Sequence, residues 1–123
     1  FIGISDLHGM PIYVNRAGLR LVGLDSIEQA RQTPVREFFY PEDQDMVLNE
    51  FFPSVLQRGQ GEIEVRFRHF KTGHTRWMLY NVFSLFDQKG KQVGLATVSR
   101  NITERKLLED NLRQVAADLS EAN

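Results

Sequence analysis

The sequence predicts an α+β domain, and three features carry that prediction. Apolar residues recur at helical spacing from Val47 to Leu56, the apolar period changes to two after Gly61, and a charged helical pattern with a heptad stripe closes the chain. The expected order is a strand pair, helices, three strands and a terminal helix.

Phe1 to Asp6 (FIGISD) and Pro11 to Val14 (PIYV) read as two short strands joined by a turn around Gly9, which makes a hairpin. Asn15 is a good N-cap for "RAGLRLVG", where Ala17, Leu21 and Val22 give an apolar side before Gly23 stops the helix. Residues 26–36 are mixed, with room for a helical turn or two before Pro34 limits them. A longer helix follows in "FFYPEDQDMVLNEFFPSVLQRG". Pro41, Glu42, Asp43 and Asp45 suit its first turn, and Val47, Leu48, Phe51, Phe52, Val55 and Leu56 form its apolar face. Pro53 lies inside that pattern and should kink or interrupt it near Glu50.

In "EIEVRFRHF" the residues alternate, with Ile63, Val65, Phe67 and His69 on one face and Glu62, Glu64, Arg66 and Arg68 on the other. "KTGH" turns the chain into "TRWMLYNVFSLF", which is apolar on both faces, so its outer side is expected to be covered as well. "DQKG" turns it again into "KQVGLATVSR", completing a three-stranded antiparallel meander. In "NITE", Asn101 followed by Glu104 matches a capping box, so the last strand runs directly into a helix. Leu108, Leu112, Val115, Leu119 and Ala122 then recur at heptad spacing. A lone helix with one apolar stripe is marginal in water, so the seam needs a cover. Either the helix folds back on its own sheet or two copies pair in a parallel coiled coil, and the strict spacing to the end of the chain favours the pair.

At 123 residues the chain has the length of one domain and can bury about two thirds of its unfolded surface. Its net charge is −1 with no run of five or more like charges, which predicts neither a nucleic-acid partner nor direct membrane contact. No stretch is apolar enough to span a bilayer and no signal peptide is present, and the lack of Cys fits a reducing compartment, so a cytoplasmic location is expected. The chain begins at Phe1 rather than Met and ends at Asn123 within a helical pattern, which predicts a segment of a longer protein.

Four motifs, in order, resemble those of the PAS domains of bacterial signalling proteins. "NRAGLRLVG" (Asn15, Ala17, Gly23) is similar to the family's helix opening, and "YPED" (Tyr40 to Asp43) to its His-Pro-Asp-Asp signature. "KTGHTRW" (Gly73, Arg76, Trp77) is similar to its Gly-turn and Arg-Trp strand, and "NITERK" (Asn101 to Lys106) to its closing Asp-Ile-Thr-Glu-Arg-Lys. Tyr40 stands where His is common, and Asn101 replaces the usual Asp, which keeps a cap and removes a charge.

The resemblance implies a five-stranded antiparallel sheet with helices packed on one face, followed by a C-terminal coiled-coil helix, with ligands held between sheet and helices. It divides the chain into a sensory domain over residues 1–103 and the start of a signalling helix over residues 104–123. Asn101, Thr103 and Glu104 are the expected signal relay, and Leu108, Leu112, Val115 and Leu119 the seam of a homodimer. The expected role is a sensory and dimerisation module acting in cis on a C-terminal output domain, most readily that of a two-component sensor histidine kinase. Diguanylate cyclases and transcriptional regulators use similar linkers, and a ligand-free structural pairing module is the rival from another class.

No cofactor is expected. The flavin adduct of blue-light relatives and the chromophore of photoactive yellow protein relatives both need a Cys, and the chain has none; haem relatives place a His on the middle helix, where none stands here. His8, His69 and His74 lack the spacing of a metal site. A catalytic role for this segment is not expected either, because no phosphate-binding loop or nucleophile motif occurs and the acidic pairs suit a helix start and a polar strand face. For an unknown small ligand, Phe38, Phe39, Leu48, Phe51, Phe52, Val65, Phe67, Trp77 and Leu79 are candidate pocket lining, with Tyr40, His69 and Asn81 as orienting polar groups. The same side chains would fill a close-packed core, and that reading is favoured over a pocket.

Overall fold

A computed structural model describes residues 1–122. Strands β1 (Ile2–Ser5) and β2 (Pro11–Val14) form the opening hairpin, and α1 (Arg16–Val22) follows directly. Asn15 caps α1 by accepting from the Gly18 N–H at 2.9 Å, and Gly23 ends it in the left-handed region at φ 76°. A side chain at Gly23 would also strike the His69 ring, 2.4 Å from where a Cβ would stand. The mixed stretch resolves into α2 (Ile27–Arg31), capped by the Ser26 hydroxyl, and a single 3₁₀ turn over Val35–Phe38 after Pro34.

The middle helix is not interrupted at Pro53. It runs as α3 (Pro41–Met46), a π turn (Val47–Phe51) and α4 (Phe52–Arg58). Proline lacks an N–H and crowds the carbonyl four residues before it, here Asn49. The π turn absorbs that misfit by letting the Phe52 N–H reach back five residues to the Val47 carbonyl. The helix thus keeps its apolar face, with Val47, Phe51 and Val55 all buried.

Strands β3 (Gln60–Arg68), β4 (Thr75–Phe86) and β5 (Gln92–Asn101) form the meander. All five strands join one antiparallel sheet in the order β2-β1-β5-β4-β3. Register fixes which side chains face the helices. Val65 pairs with Met78 and Ile63 with Tyr80, so the inward odd positions of β3 lie beside even positions of β4. Tyr80 in turn pairs with Ser99, and Val82 with Thr97, continuing the inner face across β5. At the join of β1 and β5, Gly94 permits a backbone approach that a Cβ would block, since it would stand 2.4 Å from the Ser5 carbonyl oxygen.

The core lies between this inner face and the helices. Phe67 sits at its centre, with the rings of Phe1, Phe39 and Tyr80 edge-on at 5.4, 5.5 and 5.3 Å. Such edge-to-face packing adds to plain burial because the ring edge is electropositive and the face electronegative.

The terminal helix α5 (Thr103–Ala122) begins one residue beyond the last strand. It does not fold back over the sheet: Leu108, Leu112, Val115 and Leu119 are all more than half exposed. The side chain of Ala122, the last expected seam position, lies outside the described residues.

Candidate functional site

An apolar cavity of about 40 Å³ lies between the sheet and the helices. Phe38, Phe39, Phe52 and Phe67 line it, together with Tyr80, Val82 and Leu95. No lining residue carries a charged side chain. Tyr80 is 5% exposed, and its ring is held by Phe39, Phe51, Phe52 and Phe67. Burial pushes its hydroxyl well above the usual phenol range, so it stays a neutral donor.

The other residues expected in the pocket lie elsewhere. Trp77, Leu79 and Asn81 are odd positions of β4 and face the outer side of the sheet, where they pair with Arg66, Glu64 and Glu62. Leu48 lines a separate groove. Tyr40 crosses the edge of β3, where its hydroxyl is hydrogen-bonded to the Gly73 carbonyl at 2.9 Å and to the Thr75 hydroxyl at 2.8 Å. The Arg66 guanidinium stacks over the Tyr40 ring and donates to Asp43 at 3.0 Å, and this bond raises its pKa. His69 lies beyond the end of β3. Its Nδ1 accepts from the Lys71 and Thr72 N–H groups, so it organises the β3–β4 turn rather than a ligand. Val65 and Phe51 are buried core residues that do not reach the cavity.

The groove beside the cavity has a volume of about 240 Å³ and runs between the β1–β2 turn (Asp6 to Gly9) and the helix face of Leu48, Phe52, Pro53 and Leu56. Ser5, Val35, Phe52 and Leu95 line both spaces and form the wall between them.

The junction of β5 and α5 is a second constellation. Both backbone groups of Trp77 are engaged: its carbonyl accepts from the Ile102 N–H at 2.8 Å, and its N–H donates to the Thr103 hydroxyl at 2.9 Å. The Asn101 side chain accepts from both the N–H and the hydroxyl of Thr103, at 3.0 and 2.6 Å. The expected capping box is therefore displaced by one position. The Ile102 carbonyl starts the helical ladder by accepting from the Lys106 N–H, so Ile102 is the cap, and Glu104 is exposed and bonds to nothing among the described residues. Ile102 is 3% exposed and anchors the junction in the core.

Charge reinforces the same point. Glu64 on β3 takes both Lys106 and Arg105 of α5, and hydrogen bonds from these two, Lys106 foremost, hold its carboxyl below the ordinary range. Lys106 also lies over the Trp77 ring, 4.9 Å from its centre. Sequence reasoning missed Glu64, Trp77 and Ile102 as junction residues. The alternation that sets Glu64 on the outer face and the helix start in "NITE" that sets Lys106 in the first turn were available signals, but their meeting depends on the strand register.

Among the described residues no helix is long and apolar enough to cross a membrane. Nor do three or more His, Cys, Asp or Glu side chains gather there as metal ligands.

Comparison with known proteins agrees with this geometry. The family described as the PAS fold matches residues 1–107. A PAS domain from Colwellia psychrerythraea is 30% identical and superposes with a TM-score of 0.76, covering 84% of this chain and 86% of that one. A sensory box histidine kinase/response regulator from Burkholderia thailandensis E264 is 20% identical, with a TM-score of 0.71 over 98% of this chain and 89% of the other. The N-terminal domain of a diguanylate cyclase with PAS/PAC sensor from Marinobacter aquaeolei is 22% identical, with a TM-score of 0.69 over 85% and 96% of the two chains. No curated protein matches. An open-faced antiparallel sheet with a small apolar cavity under its helices and a helix tied to its last strand defines a sensory module. The chain belongs to the PAS fold family.

Proposed function

We propose that this PAS domain pairs with a second copy through α5 and relays a conformational change to an output domain C-terminal to Asn123, in a cytoplasmic two-component sensor histidine kinase. The observation that carries this reading is the combination of a fixed junction and a bare seam. Trp77 and Glu64 hold the first turn of α5, while Leu108, Leu112, Val115 and Leu119 stay exposed. A shift in the sheet at Trp77 then becomes a rotation or register change in a helix pair. The segment itself is not an enzyme in this reading, and the parent supplies the kinase activity. It holds no flavin adduct or haem, since the chain lacks Cys and the middle helix lacks His.

The likeness to a histidine kinase/response regulator and to a diguanylate cyclase sensor supports a signalling output of either kind. The test is insertion after Lys106 in the full-length parent, assayed for autophosphorylation. One added residue should change output strongly, and seven added residues, which restore helix phase, should leave it nearly native. Equal effects would refute the relay, and diguanylate cyclase activity in place of autophosphorylation would reassign the output while leaving the relay standing.

A further inference from the structure

The heptad that sets the apolar seam of α5 does not end at Leu108. Three residues earlier, as the alternation of three and four requires, the next seam position toward the sheet is Arg105. A charged residue at a seam position costs a coiled coil stability and fixes its register.

Arg105 is turned out of the seam in the structure. Its guanidinium meets Glu64 on β3 and also Glu109, one turn along α5, at 3.4 Å. Neither contact holds it firmly, because the Arg105 side chain is 48% exposed and exposed ion pairs contribute little. Glu64 has a second cation in Lys106, which is only 25% exposed and lies over the Trp77 ring. When Arg105 leaves Glu64, α5 therefore stays tied to the sheet through Lys106 and through the Thr103 hydroxyl.

The residue beside it is its complement. Glu104 is exposed and bonds to nothing among the described residues. In a parallel helix pair each seam side chain enters a hole on the facing helix, and for Arg105 that hole includes Glu104 and Arg105 of the second copy. Two arginines left on the axis would repel one another. Each one turned to the Glu104 opposite would be neutralised, and two-fold symmetry makes the contact twice from a single self-complementary surface.

We propose that Arg105 exchanges between Glu64 of its own sheet and Glu104 of a second copy, so that the way the sheet presents Glu64 sets how closely the first turns of the two helices pair. This rests on the pairing of α5 proposed above and names the side chain that couples that pairing to the sheet.

The experiment co-expresses two differently tagged copies of the full-length parent and counts mixed against like pairs by native mass spectrometry. A copy carrying Glu104→Lys presents two cations at this level and a copy carrying Arg105→Glu presents two anions, so each repels itself and attracts the other. The ratio of mixed to like pairs should rise about threefold over that of two native copies, which is about the worth of one exposed ion pair. Glu64→Gln should speed disulfide formation at Leu108→Cys, the first apolar layer of the seam, and adding Arg105→Gln should cancel that gain. Native dimers with an unchanged ratio in the mixed pair would overturn the exchange while leaving the pairing intact, and a monomeric native parent would overturn both. Cross-linking at Leu108→Cys no faster with Glu64→Gln than without it would also overturn the exchange.

Discussion

The hydroxyl of Thr103 accepts a 2.9 Å hydrogen bond from the backbone N–H of Trp77, which places the first residue of the terminal helix in the hydrogen-bond ladder of the sheet. The side chain thus stands in for a further strand residue, and the helix axis inherits the position of β4. This is why the chain needs no loop between its last strand and its last helix.

Thr103→Val keeps the shape of the side chain and removes the acceptor. Trp77 then keeps its carbonyl bond to Ile102 and loses the partner of its N–H. The expected loss of stability is about 1–3 kcal/mol, read from urea unfolding, with faster amide exchange confined to the first turn of α5. Unchanged exchange at Lys106 would separate the hydroxyl from the hold on the helix.

The His69 turn should respond to pH. Burial first, then the charges of Arg76, His74 and Lys71, lower the His69 pKa below its ordinary 6.5, and Nδ1 must be unprotonated to accept from Lys71 and Thr72. The unfolded chain therefore takes up the proton at a higher pH than the folded one. Stability from this group is complete above about 6.5 and is lost as pH falls through the lower folded value. His69→Gln should flatten the slope of unfolding midpoint against pH between 7 and 5. A slope equal to that of the native chain would contradict the assignment to His69.

Phe67→Ala should be the most damaging single truncation in the core. Its ring is 2% exposed and touches four other aromatic rings, so the cavity left cannot close easily. The expected cost is about 3–5 kcal/mol in denaturant unfolding, and a cost under about 1 kcal/mol would show that the helices collapse onto the gap.

Much of the fold was legible because it rests on local signals. The caps at Asn15 and Gly23, the alternation that buries Val65 and Phe67, and the turn glycines Gly73 and Gly90 are each decided within a few residues. The pocket was less legible. β4 is apolar on both faces, so its sequence alone does not say which parity faces inward. The pairing of Val65 with Met78 decides it, putting Tyr80 in the cavity and Trp77, Leu79 and Asn81 outside. The outcome at Pro53 was hidden for a different reason: a π turn leaves no mark in the apolar period, because Val47, Phe51 and Val55 still share one face. At the junction, Asn101 was read as the cap because its residue type suits that role. The strand in fact continues through Asn101, paired with Met78, and the helix ladder starts from the Ile102 carbonyl.

The account turns on whether two copies of α5 pair in parallel and in register, and the chain's lack of native cysteine makes this directly measurable. Leu112→Cys places a thiol on the seam, and Ala117→Cys places one on the opposite side of the helix. Under mild oxidation the account predicts rapid disulfide-linked dimer for Leu112→Cys, whose Cα atoms would lie within bridging distance, and little for Ala117→Cys. Equal cross-linking at the two positions, or none at Leu112→Cys in the full-length parent, would contradict it.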